Sequence, residues 1–385
     1  MKKVLFITNT NPFSKSFGAE QRSFVYLNAF VENGFEVDVA YVGLTNETKP
    51  EQTECAHIVY WNNGHKWKYS RIKQLARYVT IDMYPVSFEL EKIIDGLVDK
   101  GNYDYMACRY IPTAAMAGLA KYADRLLLDI DDMPEPAMVA NMSPDKWYKN
   151  VYHKLMLFGV RRNTRFWLKH SKCCFVPDKS VAKEYGCTFL PNIPLYHVDT
   201  VEFNHNKAIL FIGLLSFRPN WEGIDWFLKN CWGSIVERIP ETVFYIAGKG
   251  LDPKKRVEWE SYDNVRPLGF VDDILEFYSL GNVVVVPVFS GSGTNIKVVE
   301  AMACGKAVVL TPFSLKGYEM LFYEEPICSL VTNNEQEFTN KVIDLLLNNQ
   351  KCELAAQISL DKVTKHYSQK MITEIVLNQI SLCNV

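Results

Sequence analysis

Val283–Val286, four consecutive valines, run into Pro287-Val-Phe-Ser-Gly291-Ser292-Gly293-Thr294-Asn295-Ile-Lys297-Val-Val-Glu300-Ala-Met-Ala-Cys-Gly305-Lys306. A short run of β-branched residues bounded by proline and glycine reads as a buried strand, here 283–287. The small-residue loop that follows gives way to helical spacing over 296–303. A strand feeding a loop and then a helix is the unit from which parallel sheets with helical layers are built. Gly291 and Gly293 allow backbone N–H groups to approach an anion, and a helix start at Thr294 or Asn295 favours negative charge there. Lys297 falls in the first turn, within reach of a diphosphate. Glu300, three residues on, lies on roughly the same face. A nucleotide suits this set, with phosphates at the helix start and a ribose diol donating to Glu300. The same residues also read as an ordinary connection carrying a surface Lys–Glu pair.

Outward from this stretch the same alternation continues in both directions. In the first half, strands are expected at 4–8, 37–41, 57–60, 105–108, 126–130 and 173–176, with helices over 21–33, 88–100 and 113–122. The pattern restarts with strands at 208–212, 243–247, 265–267, 307–310 and 327–330 and helices at 221–236, 273–279 and 335–347. Two sheets are therefore expected. The proline-marked, aperiodic segment 191–207 is the linker candidate, which divides the chain into 1–200, 201–365 and a terminal helical stretch, 366–385, returning to the first domain. In open parallel sheets ligands bind beyond the carboxyl ends of the strands, so the polar lining of a cleft between two such domains is expected from the loops there.

Length and composition agree with this division. The chain has 385 residues, 48% hydrophobic and 22% charged, with 42 Lys and Arg against 44 Asp and Glu. That is two to three domains of folded protein, and the balance of charge excludes a polycation that would bind nucleic acid without sequence preference. The ten cysteines contain no CxxC pair and read as free thiols in a reducing compartment. The apolar run after Met1-Lys2-Lys3 is too short for a signal-peptide core, and no run approaches the ~20 residues of a spanning helix. A cytoplasmic protein is expected, compatible with resting on the inner membrane face.

Two further strand-end loops carry candidate ligands. Phe211-Ile-Gly213-Leu-Leu-Ser-Phe-Arg218-Pro219-Asn220 offers Arg218 as a phosphate clamp, or else Asn220 as a helix cap with Arg218 in solvent. Asn11-Pro-Phe-Ser-Lys15-Ser-Phe-Gly18-Ala19-Glu20-Gln21-Arg22 offers a tight approach at Gly18, or a plain loop. Leu128-Asp129-Ile130-Asp131-Asp132 sets three acids at a strand end, where Asp131 or Asp132 could take acceptor hydroxyls, hold a metal, or serve as a solvated cap. From 146 to 172 there is no acid, while Lys and Arg interleave with aromatic residues. That stretch suits an anionic membrane surface or a packed helix with its basic side in water.

Gly18-Ala19-Glu20-Gln21-Arg22 before a helix, Asn33-Gly34-Phe35-Glu36-Val37, Phe211-x-Gly213 with Arg218-Pro219-Asn220, Gly269-Phe270-Val271-Asp272-Asp273 and the 291–303 stretch, taken together and in this order, resemble the retaining glycosyltransferases of family 4 (glycosyltransferase group 1). The resemblance covers essentially the whole chain. It implies the GT-B fold, two Rossmann-like domains facing across a cleft, and transfer of a sugar from a nucleotide donor to a glycan or lipid-linked acceptor, in the setting of cell-surface polysaccharide or lipopolysaccharide assembly. By resemblance the C-terminal domain holds the donor: Glu300 binds the ribose, Lys297 neutralises the diphosphate with N–H groups near Thr294 and Asn295, Gly18 assists, and Phe270 and Val271 lie by the base. No metal or other cofactor is then expected. Where many members have a second glutamate, eight positions before Glu300, this chain has Ser292; where many have a cleft histidine, it has Arg109, implying a fixed cation near the reacting centre. Arg218 stands in for a missing basic pair after Gly213. An epimerase of the same two-domain shape and a non-catalytic nucleotide-sugar binder are the competing readings.

Overall fold

The computed structural model describes residues 2–15, 18–42, 56–61, 87–135, 147–291 and 293–382. Within these residues the chain forms two compact units. The first comprises 1–191 together with 369–385, and the second comprises 192–368.

The first unit is built on a seven-stranded sheet, β1 (Lys3–Thr8), β2 (Glu36–Tyr41), β3 (Ala56–Trp61), β4 (Tyr105–Arg109), β5 (Leu126–Asp129), β6 (Cys173–Val176) and β7 (Thr188–Phe189), in the order β3-β2-β1-β4-β5-β6-β7. All pairings are parallel. Strands covered on both faces read as unbroken apolar runs, and Val4 to Ile7 and Leu126 to Leu128 are fully buried. Helices α1 (Gly18–Val31) and α2 (Trp147–Lys169) belong to this unit.

The second unit repeats the scheme with β8 (Ala208–Ile212), β9 (Val243–Ala247), β10 (Val265–Gly269), β11 (Val283–Val286) and β12 (Ala307–Leu310), again parallel, in the order β10-β9-β8-β11-β12. Its helices include α3 (Arg218–Phe227), α4 (Ile274–Ser279) and α5 (Ile296–Ala303). In both sheets the strand order reverses direction once, between β1 and β4 and between β8 and β11. These are the positions where flanking loops part and leave a crevice beyond the carboxyl ends.

Several expectations shift. Segment 327–330 is not a strand: Cys328–Leu330 is a 3-10 turn, with Cys328 and Leu330 N–H groups bonded locally to Glu324 and Ile327 carbonyls, and only Val331 bridges to Leu310. The helix expected over 113–122 breaks at Gly118, whose φ of 67° is left-handed. The one expected over 221–236 begins three residues earlier, with Pro219 in its first turn, and passes through a π turn at Leu228–Trp232. The unit boundary falls at Pro191/Asn192 and not near 200, because the linker is bound to the second unit. Asn192 Nδ2 donates to Thr294 Oγ1 at 2.8 Å, Tyr318 Oη to the Asn192 carbonyl at 3.3 Å, and Val198 N–H to the Ala303 carbonyl at 3.0 Å. Residues 366–368 likewise stay with that unit, and α6 (Gln369–Leu382) returns to the first, packing along α1.

Gly248, just after β9, has φ 143°, and a Cβ there would stand 1.6 Å from the Gly213 carbonyl oxygen. Backbone cannot yield as a side-chain tip can, so Gly248→Ala is expected to cost about 3 kcal/mol or more. A denaturant midpoint within error of the parent would refute this packing.

Candidate active site

The crevice at the β8/β11 reversal is assembled from three loops that no single stretch of sequence contains. Gly213 follows β8, its N–H bonded to the Ala247 carbonyl at 3.1 Å. A Cβ at Gly213 would stand 3.0 Å from both Asn220 Nδ2 and Lys297 Cε, so glycine here is what lets those side chains meet. Asn220, buried in the first turn of α3, donates from Nδ2 to the Leu214 carbonyl at 2.8 Å and accepts from Lys297 Nζ at 2.7 Å. Asn295 precedes α5 as its N-cap residue but makes no capping bond; its Oδ1 lies 3.4 Å from Lys297 Nζ. The first N–H groups of α5 therefore have no side-chain cap, and the helix dipole adds positive potential at the same place.

Lys297 is half-buried, with its ammonium 5.5 Å from the centroid of the Phe211 ring. Among the described residues it has no ion pair. Its hydrogen-bond partners are amide oxygens. Burial pushes its pKa down to about 8, against the opposing field of Glu300. A desolvated cation lacking a bound carboxylate, beside uncapped helix N–H groups, has the chemistry that would complement a polyanion such as a diphosphate.

Glu300 is on the same helix as Lys297 but does not pair with it. It is buried, and accepts from Tyr278 Oη at 3.2 Å. The surface Lys–Glu pair considered from spacing is thus absent, and the two groups act on separate partners. Tyr278 carries no motif in the sequence; only its place on α4, facing α5, reveals it. Thr294 Oγ1 is taken by Asn192. Ser292 lies outside the described residues, and Gly293 is half-buried in the same loop. Phe270 and Val271 follow β10, beyond Gly269 with φ 78°, and Phe270 is 56% exposed. The close approach of Gly248 to Gly213 has no expectation behind it in the sequence reading, although Gly248-Lys249-Gly250 directly after a strand is a recognisable signal. Arg218 does not join the group: its side chain is 76% exposed and bonded to Glu222 at 2.7 Å, four residues along α3.

The crevice of the first unit differs in its electrostatics. Arg109 ends β4 and was expected as a cation facing the reacting centre. The structure corrects this, because Arg109 is fully buried and its guanidinium is consumed by structure. It donates to Asp129, to Ser23 Oγ at 3.0 Å, to the Ala19 carbonyl at 3.2 Å, to Tyr110 Oη at 3.0 Å and to Asp131 Oδ2 at 3.0 Å. Arg22 bonds Asp129 through Nε and Nη2 and the Leu190 carbonyl through Nη1. Two buried guanidinium groups around Asp129 and Asp131 leave the cluster neutral. Burial raises the Asp131 carboxyl, but Arg109 and Arg22 outweigh it and hold that carboxyl below the usual range. Asp131, with φ 56°, also accepts from Tyr110 Oη at 3.0 Å, so it is less free for an acceptor hydroxyl than a solvated acid would be. Asp132 is half-buried beside it, and Gly18 opens α1.

Residues 206–348, which include β8 to β12 and the Lys297 crevice, match the family model of glycosyl transferases group 1. A Klebsiella pneumoniae protein described as an uncharacterized 44.6 kDa protein in the cps region is 19% identical over 397 residues, spanning 98% of this chain and all of that one. Sucrose-phosphate synthase from Thermosynechococcus elongatus superposes with a TM-score of 0.70 at 13% identity, over 99% of this chain and 98% of that one. Anabaena HepE in complex with UDP and glucose gives 0.64 at 14% identity, over 99% and 100%. The two-sheet architecture is that of the GT-B glycosyltransferases, as the motifs implied.

The depressed Lys297 amine makes stability depend on pH in a definite direction. Between about 8 and its unfolded value of 10.5 the unfolded chain holds more protons than the native one, so the native state gains stability as pH rises through that window. Lys297→Met removes the effect. Its Tm is expected to exceed the parent's at pH 7, with the gap closing towards pH 10; a gap that does not change with pH would mean the ammonium is not desolvated.

Proposed function

From the group 1 glycosyl transferase domain at 206–348, we propose that this protein transfers a sugar, with retention at the anomeric carbon, from a nucleoside-diphosphate donor to a glycan or lipid-linked acceptor in cell-surface polysaccharide assembly. The observation that carries the reading is Lys297, an ammonium bonded to neutral Asn220 and Asn295 oxygens beside the uncapped start of α5. A bound diphosphate supplies the missing countercharge. HepE was solved with UDP and glucose, and the Klebsiella relative is described as lying in a cps region, which supports a sugar nucleotide as donor and a polysaccharide setting.

In this reading the bond from the anomeric carbon to the leaving phosphate oxygen breaks as a bond to the acceptor oxygen forms on the same face. The acceptor's proton passes to the departing phosphate. Charge grows on that oxygen as the sugar becomes oxocarbenium-like, and Lys297 with the α5 N–H groups stabilises it where little water competes. No metal is called for. Glu300, held by Tyr278, is assigned to the ribose hydroxyls, and Phe270 and Val271 to the base. Arg109 is a positioning residue that fixes Asp131 and the end of β4, and the first unit is assigned to the acceptor.

The α2 helix is assigned to an anionic inner-membrane surface, for which Arg162, Arg165 and Lys169 are exposed along with Phe158 and Val151. Among the described residues no helix is long and apolar enough to cross a membrane.

A panel of nucleoside-diphosphate sugars, followed by nucleotide release and product anomer, tests the transfer. One donor is expected to raise Tm and release its nucleotide only with acceptor, giving a retained linkage. Lys297→Met is expected to weaken donor binding by about tenfold or more, the size of a lost charged hydrogen bond, and Glu300→Gln to weaken it while leaving inorganic diphosphate binding intact. Parental donor affinity in both variants would remove the site. In liposome flotation, α2 is expected to bring the protein up with anionic vesicles and not with neutral ones; flotation indifferent to lipid charge would oppose the membrane assignment.

A further inference from the structure

We propose that the second unit carries another ligand site, at the amino ends of its strands, which binds a small amphipathic anion with Lys306 as the countercharge. A pocket of about 400 Å³ lies there, and its lining includes Val198, Glu202, Phe203, Leu275, Cys304 and Lys306. That volume is within the range of small-molecule sites. Lys306 immediately precedes β12, and Phe203 lies a few residues before β8. The strands are parallel, so this pocket opens at the end of the sheet away from Lys297, with α5 running between the two.

Three features make it a site and not a packing defect. Lys306 is only 4% exposed, yet among the described residues its ammonium has neither ion pair nor hydrogen bond. Buried lysines are ordinarily paired. Burial lowers its pKa; the charged or titratable groups whose fields oppose this are Glu202 before β8, Cys304 at the end of α5 and Cys352 on the helix Asn349–His366, and only Glu202 among them is a carboxylate. The walls are also fixed before any ligand arrives. Asn204 N–H donates to Asn282 Oδ1 at 3.3 Å, Asn282 Nδ2 to the Asn204 carbonyl at 2.5 Å, and Asn204 Nδ2 to the Ser279 carbonyl at 2.7 Å, which staples the linker to the end of α4. Finally, the lining sets an apolar part, Val198, Phe203 and Leu275, beside one buried lysine, with Glu202, the carboxylate of the lining, on an exposed residue. A ligand with a single negative head and a short apolar body satisfies both at once. The head is a carboxylate or a phosphate monoester; either meets Lys306 in the same way.

Hexanoate is the first probe, hexyl phosphate the second, and hexan-1-ol and hexylamine are the uncharged and cationic controls. Calorimetry and ligand-observed NMR on the full chain are expected to show one hexanoate bound in the millimolar range, as about eight non-hydrogen atoms allow. Hexanol and hexylamine are expected to bind about tenfold more weakly or not at all. If hexyl phosphate outcompetes hexanoate, the natural head is phosphate; the reverse order assigns a carboxylate. Lys306→Met is expected to reduce hexanoate binding by about tenfold, while Lys297→Met leaves it unchanged and UDP does not displace it, which separates this site from the donor reading. Should Lys306→Met fail to fold, Leu275→Trp, filling the pocket from a partly exposed position, is expected to abolish hexanoate binding. Equal binding of hexanoate and hexanol, displacement by UDP, retention in both variants, or no binding up to about 20 mM would each overturn the proposal.

Discussion

A cation taken out of water must be given something in return, and the second unit is organised around that requirement at Lys297. The absence of a side chain at Gly213 opens the space, Asn220 is turned inward from the start of α3, and Asn295 gives its oxygen to the ammonium in place of its own helix. Neutral amide oxygens hold the charge in position without cancelling it. What results is a strong local field with low reorganisation, the property that makes preorganised sites effective against developing negative charge.

The first unit solves the same electrostatic problem in the opposite way. Arg22 and Arg109 are more deeply buried than Lys297, but Asp129 and Asp131 neutralise them within the protein. Such a network is weak evidence of net stabilisation, since desolvation opposes the Coulombic gain, but removing one member leaves an uncompensated charge. Its geometric effect is definite: it ties α1, β4, β5 and the segment before the unit boundary to one carboxylate. One unit therefore leaves a cation held by neutral oxygens alone, and the other uses its charges to hold strand ends together.

Much of this was legible in the sequence. The strands at 173–176, 208–212, 243–247 and 307–310 and the helices at 296–303 and 335–347 coincide with the structure, because apolar β-branched runs and strong amphipathic periods leave little choice. Gly213, Asn220, Asn295 and Lys297 also stand out in the sequence, since each falls in a loop or first helical turn just after a strand. What periodicity could not show was partnership. Whether Arg109 faces solvent or a ring of five acceptors depends on residues such as Asp129, twenty positions away, and Ala19, ninety positions away. Tyr278 and Gly248 were missed for the same reason, as their roles come from neighbours on other elements. Ile327 and its successors looked like a strand because they are apolar, but they sit in a short turn that only grazes the sheet edge at Val331.

The return of α6 to the first unit has a consequence for biogenesis. Ile372, Val376 and Ile380 are buried there, and Gln369 Nε2 donates to the Val25 carbonyl at 3.1 Å. While the chain emerges from the ribosome, the amino-terminal lobe must wait, one flank of its outer layer bare, until the entire intervening lobe has been translated. The lobe that starts first is the last to be finished, and its uncovered surface is what a nascent-chain chaperone would meet.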